Sequence, residues 1–509
     1  MNIRKLLTRL VSLALIAVFL PTVAMADTWY LEDGSITVSA TDSGQNVSQG
    51  GVTKEDSAPV IRNRDSSAST TNNVTIRADT GATANVTLED TNIDTTGGAG
   101  PKSAGDAAVR TEGGGNVNLN VELDNTLQSG NTRAGVEKGN GGNLTIGSES
   151  GSGQLVAVGA DGGAGIGSED RLASGNYNVG NITITGGDIF ATGNGGGAGI
   201  GGGWYCGASD ITITGGNVTA VGKEDNPNRI GGAGIGGGGS QSSNAGGGSN
   251  LKITGGRVTA VGGNFSAGIG GSIGSNGDNI AISDAEVIAI GGTCAAGIGG
   301  GCRLGNGIVG QGTNISISGS ANVKAAGGVG DSMDGAGAAI GAGGSHQGTT
   351  AQEGAADTSG LSPDGSVERL DPGTTFDIPQ PKPRSSFPKP TPDPVAVEEE
   401  PQPVKAALYR VIDETGKALP VEAKQEDGVL LLTAQADIAI LEGAISGLET
   451  LQSRGIDTIT FTNGTISVSF SLAEVIAKGA SSDVYRLTLS GGEANFTLAD
   501  ADITALLGK

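Results

Sequence analysis

Short stretches of alternating apolar and polar residues recur between residues 30 and 345. The segment NITITGGDIFATGNGGGAGIGGG, residues 181–203, returns in degenerate form from Asp210, Asn250, Asn279 and Asn314. The pattern within each copy is Ile-x-Ile, then Val-x-Ala, then Ala-x-Ile, separated by glycines, with Ile189 in place of Val in one copy and Leu251 in place of Ile in another. Period-two alternation over so few residues predicts short β-strands with one face inward, and the glycines suit positive-φ corners between them.

Three short strands per repeat, with no helical periodicity, predict a single-stranded parallel β-helix of nine coils over residues 27–347. The residues expected to mark the first strand of each coil are Ile36, Val74, Val117, Leu144, Ile182, Ile211, Leu251, Ile280 and Ile315. Those expected to mark the third strand are Val60, Val109, Val136, Ile166, Ile200, Ile235, Ile269, Ile298 and Ile340. Insertions between the third strand and the next first strand are expected to form loops on one side.

The composition of the chain changes after the repeats. Residues 348–405 are predicted to be a disordered, proline-rich linker, because ten of the 16 prolines lie between Pro372 and Pro403. Residues 406–509 are predicted to form a small α+β domain of short strands, a helix over 437–455 and a shorter helix over 471–479. The shorter helix carries a candidate capping box of Ser471 and Glu474.

Composition limits the possible functions. With 94 glycines among 509 residues and only 3% aromatic residues, a core of large side chains is not available for most of the chain. The net charge of −23 disfavours nucleic acid as a partner. Residues 1–26 have a basic start, an apolar run and a small-residue end, which predicts a signal peptide and a secreted or cell-surface-associated protein. No second segment is apolar enough to suggest a transmembrane span.

The repeats resemble a known group of proteins. The stretch ITITGGNVTAVGK followed by GAGIGGG is similar to the glycine-rich repeats of adhesin-like or carbohydrate-binding proteins secreted by Gram-positive, gut-type bacteria. It also looks like the wider right-handed β-helix group that contains pectate-lyase-like enzymes. The resemblance implies a right-handed helix and a polysaccharide, host-glycan or cell-wall-glycan partner. Calcium-binding members place Asp beside the turn glycines, where this chain has Gly or Ala, so we expect no metal and no cofactor.

The glycine motif itself has two interpretations. Residues 197–202 fit G-x-G-x-x-G, the pattern of a dinucleotide-binding turn, but the motif recurs from coil to coil and leads into a strand instead of a helix. We therefore assign its glycines to the solenoid. This coil differs from the other coils at Trp204 and Tyr205. These two residues, together with Tyr177, are the candidate carbohydrate-binding residues. Gly199 and Gly201 are expected to be exposed and to form a flat floor beside Trp204.

Catalysis is the main alternative to binding. A β-helix polysaccharide lyase or hydrolase needs carboxylates and a base on one face. One stacked column of polar residues is expected to place Arg257 against Glu286 as a surface ion pair, beside Asp188, Asn217 and Asn322. This spacing favours a solvated ladder over a catalytic site, so we predict no catalytic residues. A passive structural spacer is a third possibility, and no partner is predicted for residues 406–509.

Three cysteines allow at most one internal disulfide. Cys206 and Cys302 lie three coils apart, which is too far for a bond, and Cys294 and Cys302 flank one strand that is expected to hold them apart. We therefore predict partly buried, unbridged thiols. The lone histidine, His346, excludes a multi-histidine metal site.

Overall fold

The computed structural model describes residues 27–98, 105–170, 177–223, 230–240, 246–303, 308–345 and 349–383, and 409–508 except 415–418, 420, 427, 435, 454–455, 480–482 and 500. The predicted signal peptide and His346 lie outside these residues. The chain divides into two compact units, Met1–Thr391 and Pro392–Lys509, each described by itself below.

The first unit consists of three sheets. Sheet 1 contains, in spatial order, Thr28–Tyr30, Val60–Arg62, Thr83–Glu89, Asn116–Glu122, Leu144–Gly147, Ile182–Ile184, Cys206–Ile213, Gly248–Ile253, Gly277–Ser283, Gly312–Ser318 and Ala356–Asp357, with Tyr177–Val179 also paired to Cys206–Ile213. Sheet 2 contains Asn92–Asp94, Asp124–Gln128, Gln154–Asp161, Asp188–Asn194, Asn217–Gly222, Arg257–Val261, Glu286–Ile290, Asn322–Ala326 and Ser366–Leu370. Sheet 3 contains Val52–Glu55, Gly44–Gln49, Ile36–Thr41, Val74–Ala78, Val109–Gly113, Val136–Lys138, Ile166–Gly167, Ile200–Gly201, Ile235–Gly236, Ile269–Gly270, Ile298–Gly299 and Ile340–Gly341.

The chain passes from sheet 1 to sheet 2 to sheet 3 and returns to sheet 1, so equivalent strands of successive coils pair in parallel. Ile182 lies opposite Ile211, and Ile200 lies opposite Ile235. These side chains are buried in one continuous apolar core, while alternate residues face outward. Each buried aliphatic side chain contributes about 1.5–3 kcal/mol through removal from water. The predicted parallel β-helix is confirmed.

A repeated polar residue precedes the first strand's apolar residues. Asn181, Asp210, Asn250, Asn279 and Asn314 all adopt left-handed backbone conformations, with φ between 51° and 57°. Asn and Asp tolerate this conformation better than other residues with side chains. Neighbouring amides also form a ladder, since Asn279 donates to Asn250 over 2.6 Å and Asn250 donates to Asp210 over 3.1 Å. This explains why the repeats begin with Asn or Asp.

The assignment of the first coils is wrong. Eleven strands follow one another along sheet 1 within the described residues, where nine coils were predicted. Ile36 and Val74, predicted for the first strand, lie in sheet 3, whereas Val60, predicted for the third, lies in sheet 1. The cause is an antiparallel hairpin, Ile36–Thr41 with Gly44–Gln49, that interrupts the repeat spacing. It also covers the edge of sheet 3 at Ile36–Thr41.

The predicted boundary after residue 347 is also wrong. Ala356–Asp357 pairs with sheet 1 and Ser366–Leu370 with sheet 2, so a further partial coil follows. Residues 371–383 then run back along sheet 2: the Gly373 N–H donates to the Gly327 carbonyl over 2.9 Å, and the Lys382 N–H to Gln154 Oε1 over 2.8 Å. Composition alone predicted a disordered linker here, because prolines suit an extended segment whether or not a sheet lies beneath it. Residues 384–408 of that linker lie outside the described residues.

The second unit contains two small sheets and two helices. One sheet contains Arg410–Ile412, Ile438–Ala444, Val484–Ser490, Glu493–Leu498 and Ala501–Asp502. The other contains Val421–Glu426, Val429–Ala434, Thr458–Thr462 and Ser467–Ser471. The helices are Ile445–Ser453 and Leu472–Ile476. A buried aromatic cluster lies in the core, where the Phe470 and Phe496 ring centroids are 4.8 Å apart.

The long helix predicted for residues 437–455 begins later than expected. Ile438–Ala444 is a central strand that pairs on both sides, with Arg410–Ile412 and Val484–Ser490. Sheet pairing there overrides the helical pattern, and the consecutive residues Ala439, Ile440 and Leu441 are all buried. Ser471 does precede the second helix, but its side chain makes no capping hydrogen bond.

One-turn 3-10 helices complete the described secondary structure, at Leu31–Asp33, Thr96–Gly98 and Thr504–Leu506. None of the described helices is both long and apolar enough to cross a membrane.

Candidate functional site

The loop that carries Trp204 and Tyr205 begins with a reversal of the chain. The Ala198 N–H donates to the Gly202 carbonyl over 2.8 Å, which brings together residues four apart. Five other coils make the same bond, between residues 164 and 168, 233 and 237, 267 and 271, 296 and 300, and 338 and 342. Because the chain folds back at the third strand, residues equally distant from its centre face each other. In each coil, the cross-loop pair consists of the residue two positions before the donor of this bond and the residue two positions after its acceptor. For the bond from Ala198 to Gly202, these are residues 196 and 204.

Trp204 is the cross-loop partner of Gly196. A Cβ atom on Gly196 would lie 2.0 Å from Trp204 Cε3, and one on Gly239 of the next coil would lie 2.7 Å from Trp204 Cζ3. The indole therefore lies directly on glycine backbone. The predicted floor of Gly199 and Gly201 is wrong, because both are buried. A Cβ on Gly199 would lie 2.4 Å from the Val221 nitrogen, so the strand packs inward against sheet 2.

Tyr205 supplies the second ring of the site. Its φ of 64° is in the left-handed region, which costs a residue with a side chain about 1 kcal/mol. The Tyr205 N–H donates to the Gly239 carbonyl over 2.9 Å. The Trp204 and Tyr205 ring centroids are 5.4 Å apart at an interplanar angle of 82°, an edge-to-face arrangement. Both side chains are half-buried, so each ring is fixed while part of it faces solvent.

Tyr177 lies one coil away along the chain. Its backbone pairs with Cys206, the residue that follows Tyr205, so the two segments are adjacent. The Tyr177 side chain lies outside the described part of the structure. The clustering of all three aromatic rings therefore stays a prediction, and Trp204 with Tyr205 forms the described aromatic pair.

The predicted polar column is present on the outer face of sheet 2. The register places Asp188, Asn217, Arg257, Glu286 and Asn322 side by side. Arg257 Nη2 lies 2.7 Å from Glu286 Oε2, with both side chains about half exposed, which confirms the predicted ion pair. An exposed pair of this kind contributes at most about 1 kcal/mol.

Sequence reasoning missed a second charged group, at sheet 3. Arg133 Nη1 lies 3.1 Å from Glu137 Oε1 and also contacts Glu169, while Arg110 Nε lies 3.3 Å from Glu137. Burial raises the pKa of the Glu137 carboxyl, although Arg133 opposes the shift. A cavity of about 90 Å³ lies beside this group, lined by Asn73, Thr75, Gly105, Asp106, Ala107, Arg110, Glu112 and Arg133. These residues come from irregular early coils, where no repeat pattern could identify them.

Lys138 gives this region a testable pH dependence. The residue is buried, its Nζ donates to the Asn140 carbonyl, and burial lowers its pKa from 10.5 to about 8. The unfolded chain therefore binds more protons between these two values, so Lys138 should make the free energy of unfolding rise with pH across that window, by about 1–2 kcal/mol. Lys138→Met should remove this rise and be more stable than wild type at pH 7. Urea unfolding at pH 7, 9 and 10.5 tests this, with the exposed Lys252→Met as the control. Equal slopes for wild type and Lys138→Met would contradict it.

Among the described residues, no cluster of three or more His, Cys, Asp or Glu side chains has an arrangement that could hold a metal ion.

Comparison with known proteins supports the fold. A family model described as beta helix repeat matches residues 182–204, 211–239, 251–274 and 280–302, the most regular coils of the first unit. No curated protein and no solved structure matches the chain. The repeats are thus similar to beta helix repeats, in agreement with the parallel pairing of the three sheets.

Proposed function

We propose that this chain is an exported, adhesin-like protein whose parallel β-helix binds a polysaccharide or glycan at the loop that carries Trp204 and Tyr205. The observation that carries the proposal is the aromatic pair itself, with centroids 5.4 Å apart and the indole held against glycine backbone. Aromatic faces pack against the apolar faces of sugar rings. A ring that is already fixed loses little conformational entropy on binding, which favours affinity.

Further features support this proposal. The basic and apolar leader at residues 1–26 is typical of exported proteins, and the resemblance of the repeats is to secreted carbohydrate-binding proteins. The left-handed Tyr205 backbone is a local strain of the kind that accumulates at binding sites. The glycan, and any means of retention at a surface, are to be identified by experiment.

The binding test uses the full mature chain on a panel of plant, mucin and cell-wall polysaccharides. Trp204→Ala and Tyr205→Ala should each weaken retention on the bound glycan about tenfold or more, since central aromatic residues dominate binding energies. Tyr205→Phe should retain most of the binding because it keeps the ring. Phe190→Ala is the matched control, because Phe190 is a half-buried aromatic residue on the outer face of sheet 2.

The outcome separates the possible functions. Retention that the Trp204 and Tyr205 variants do not alter, in variants that unfold at the wild-type temperature, would overturn the assignment of the site. No retention on any glycan would favour a passive structural spacer.

A polysaccharide lyase or hydrolase is the second candidate. The cavity beside Arg110, Arg133 and Glu137 favours it, since it brings arginines and carboxylates together. The same panel, assayed for released products, tests this candidate. Product release that Arg133→Met abolishes would support catalysis at this cavity.

A further inference from the structure

The cross-loop pair in the coil of Ile298 consists of two cysteines. The Ala296 N–H donates to the Gly300 carbonyl over 3.0 Å, so the chain reverses between them, and Cys294 and Cys302 stand two positions outside that bond. The expectation that the strand holds these residues apart is therefore wrong. The strand is only Ile298–Gly299, and the reversal brings its flanks together.

Other coils show how close such a pair lies. In the coil of Ile166 the equivalent residues are Gly162 and Asp170, and a Cβ on Gly162 would lie 2.7 Å from the Asp170 Cβ. In the coil of Ile200 the equivalent pair is Gly196 and Trp204, which are in direct contact. Disulfides require Cβ atoms about 3.5–4.5 Å apart, a separation that this position of the coil approaches.

The contacts of the sulfur atoms agree with this geometry. Cys294 Sγ lies 3.8 Å from the Asp334 carbonyl oxygen, and Cys302 Sγ lies 3.9 Å from Asp334 Oδ2. The three cysteines are unbridged and buried in this structure. Cys294 and Cys302 shift each other's pKa, in agreement with their shared contact with Asp334. Cys206 belongs to a different coil and lies against the Glu169 carbonyl, 3.8 Å away.

We propose that Cys294 and Cys302 form a disulfide that closes the chain reversal at the third strand of this coil. The oxidant is a disulfide of low molecular weight, such as oxidised glutathione. One cysteine thiolate attacks a sulfur of the oxidant and releases one glutathione thiolate. The second cysteine, on losing its proton, attacks the resulting mixed disulfide and releases the other. Two electrons thus pass from the two cysteines to glutathione, and the two protons lost from the cysteines are taken up by the two glutathione thiolates.

The order of attack follows from the surroundings of the two thiols. The hydrogen bond from the Cys302 thiol lowers the pKa of Cys294, whereas that bond, burial and Asp334 raise the pKa of Cys302. Cys294 is therefore the first nucleophile. Because both sulfur atoms are buried, we expect the bond to form before the loop closes during folding, or when it opens transiently.

Tryptic peptide mapping tests the proposal on the wild-type chain. Residues 258–303 contain no internal Lys or Arg, so one peptide carries Cys294 and Cys302 without Cys206. The protein is refolded with oxidised glutathione, denatured and treated with iodoacetamide. This peptide should then carry no label, and its mass should be lower by two hydrogen atoms than that of the same peptide with two free thiols. Prior reduction should allow two labels. Cys302→Ser is the control, and its Cys294 should be found either labelled or joined to glutathione.

Three results would overturn the proposal: two labels on the unreduced wild-type peptide, glutathione attached to either cysteine of the wild-type chain, or a bond from either one to Cys206. None of them depends on whether the protein binds a glycan.

Discussion

Gly197→Ala is expected to lower the free energy of unfolding of the first unit by about 3 kcal/mol, with a matching fall in the urea midpoint. A Cβ at this position would lie 2.0 Å from the Gly163 carbonyl oxygen and 2.4 Å from its carbon. The obstacle is the backbone of the preceding coil, which cannot rotate away as a side chain could. The substitution must therefore separate two coils or distort their hydrogen bonds.

Gly186→Ala is the matched control for Gly197→Ala. It lies in the same coil, and its nearest neighbours, the Ser148 nitrogen and oxygen, are 3.7 Å from a Cβ, which is an ordinary contact. We expect a change within about 0.5 kcal/mol, since replacing glycine where space and backbone allow costs little. If the two variants unfold at the same urea concentration, close packing of the coils at Gly197 does not contribute to stability.

This prediction also shows what the repeat pattern could not predict. Period-two alternation was sufficient to identify the inward residues, such as Ile182 and Ile200, because a buried strand face leaves that pattern in any sequence. The glycines were interpreted as positive-φ corners, and Gly187, at φ 89°, is one. Gly197 is required for a different reason, the close approach of the preceding coil. Sequence alone does not distinguish these two needs.

The candidate site, like the fold, was predicted only in part. Trp204 and Tyr205 were identifiable because they interrupt a repeat, and they prove to be neighbours in space. The glycines in contact with Trp204 were wrongly predicted to be Gly199 and Gly201, because the chain reversal at the third strand produces no periodic pattern in the sequence. The same reversal explains why the two cysteines were expected to be separate. A loop's path depends on backbone hydrogen bonds such as Ala198 to Gly202, which any pair of residues can form.

Arg303→Met is expected to destabilise the first unit by about 3–5 kcal/mol, the cost of leaving one member of a buried ion pair alone. Arg303 Nε lies 2.8 Å from Asp334 Oδ1, and the two side chains are only 9% and 7% exposed. Without the guanidinium, the Asp334 carboxylate would remain buried with a charge that water cannot solvate. Reducing conditions keep the adjacent Cys294 and Cys302 as thiols, so that a disulfide between them does not alter the measured free energy of unfolding.

A double-mutant cycle separates the energy of this pair from the cost of an unpaired charge. Arg303→Met combined with Asp334→Leu removes both charges, and we expect it to recover most of the stability lost in Arg303→Met, because a buried ion pair is often no better than apolar side chains of similar volume. The free energies of unfolding of wild type, both single variants and the double variant give the coupling energy directly. Single variants that each cost less than about 1 kcal/mol would mean that water reaches the pair. Solvent would then be expected to reach the neighbouring Cys294 and Cys302 thiols as well.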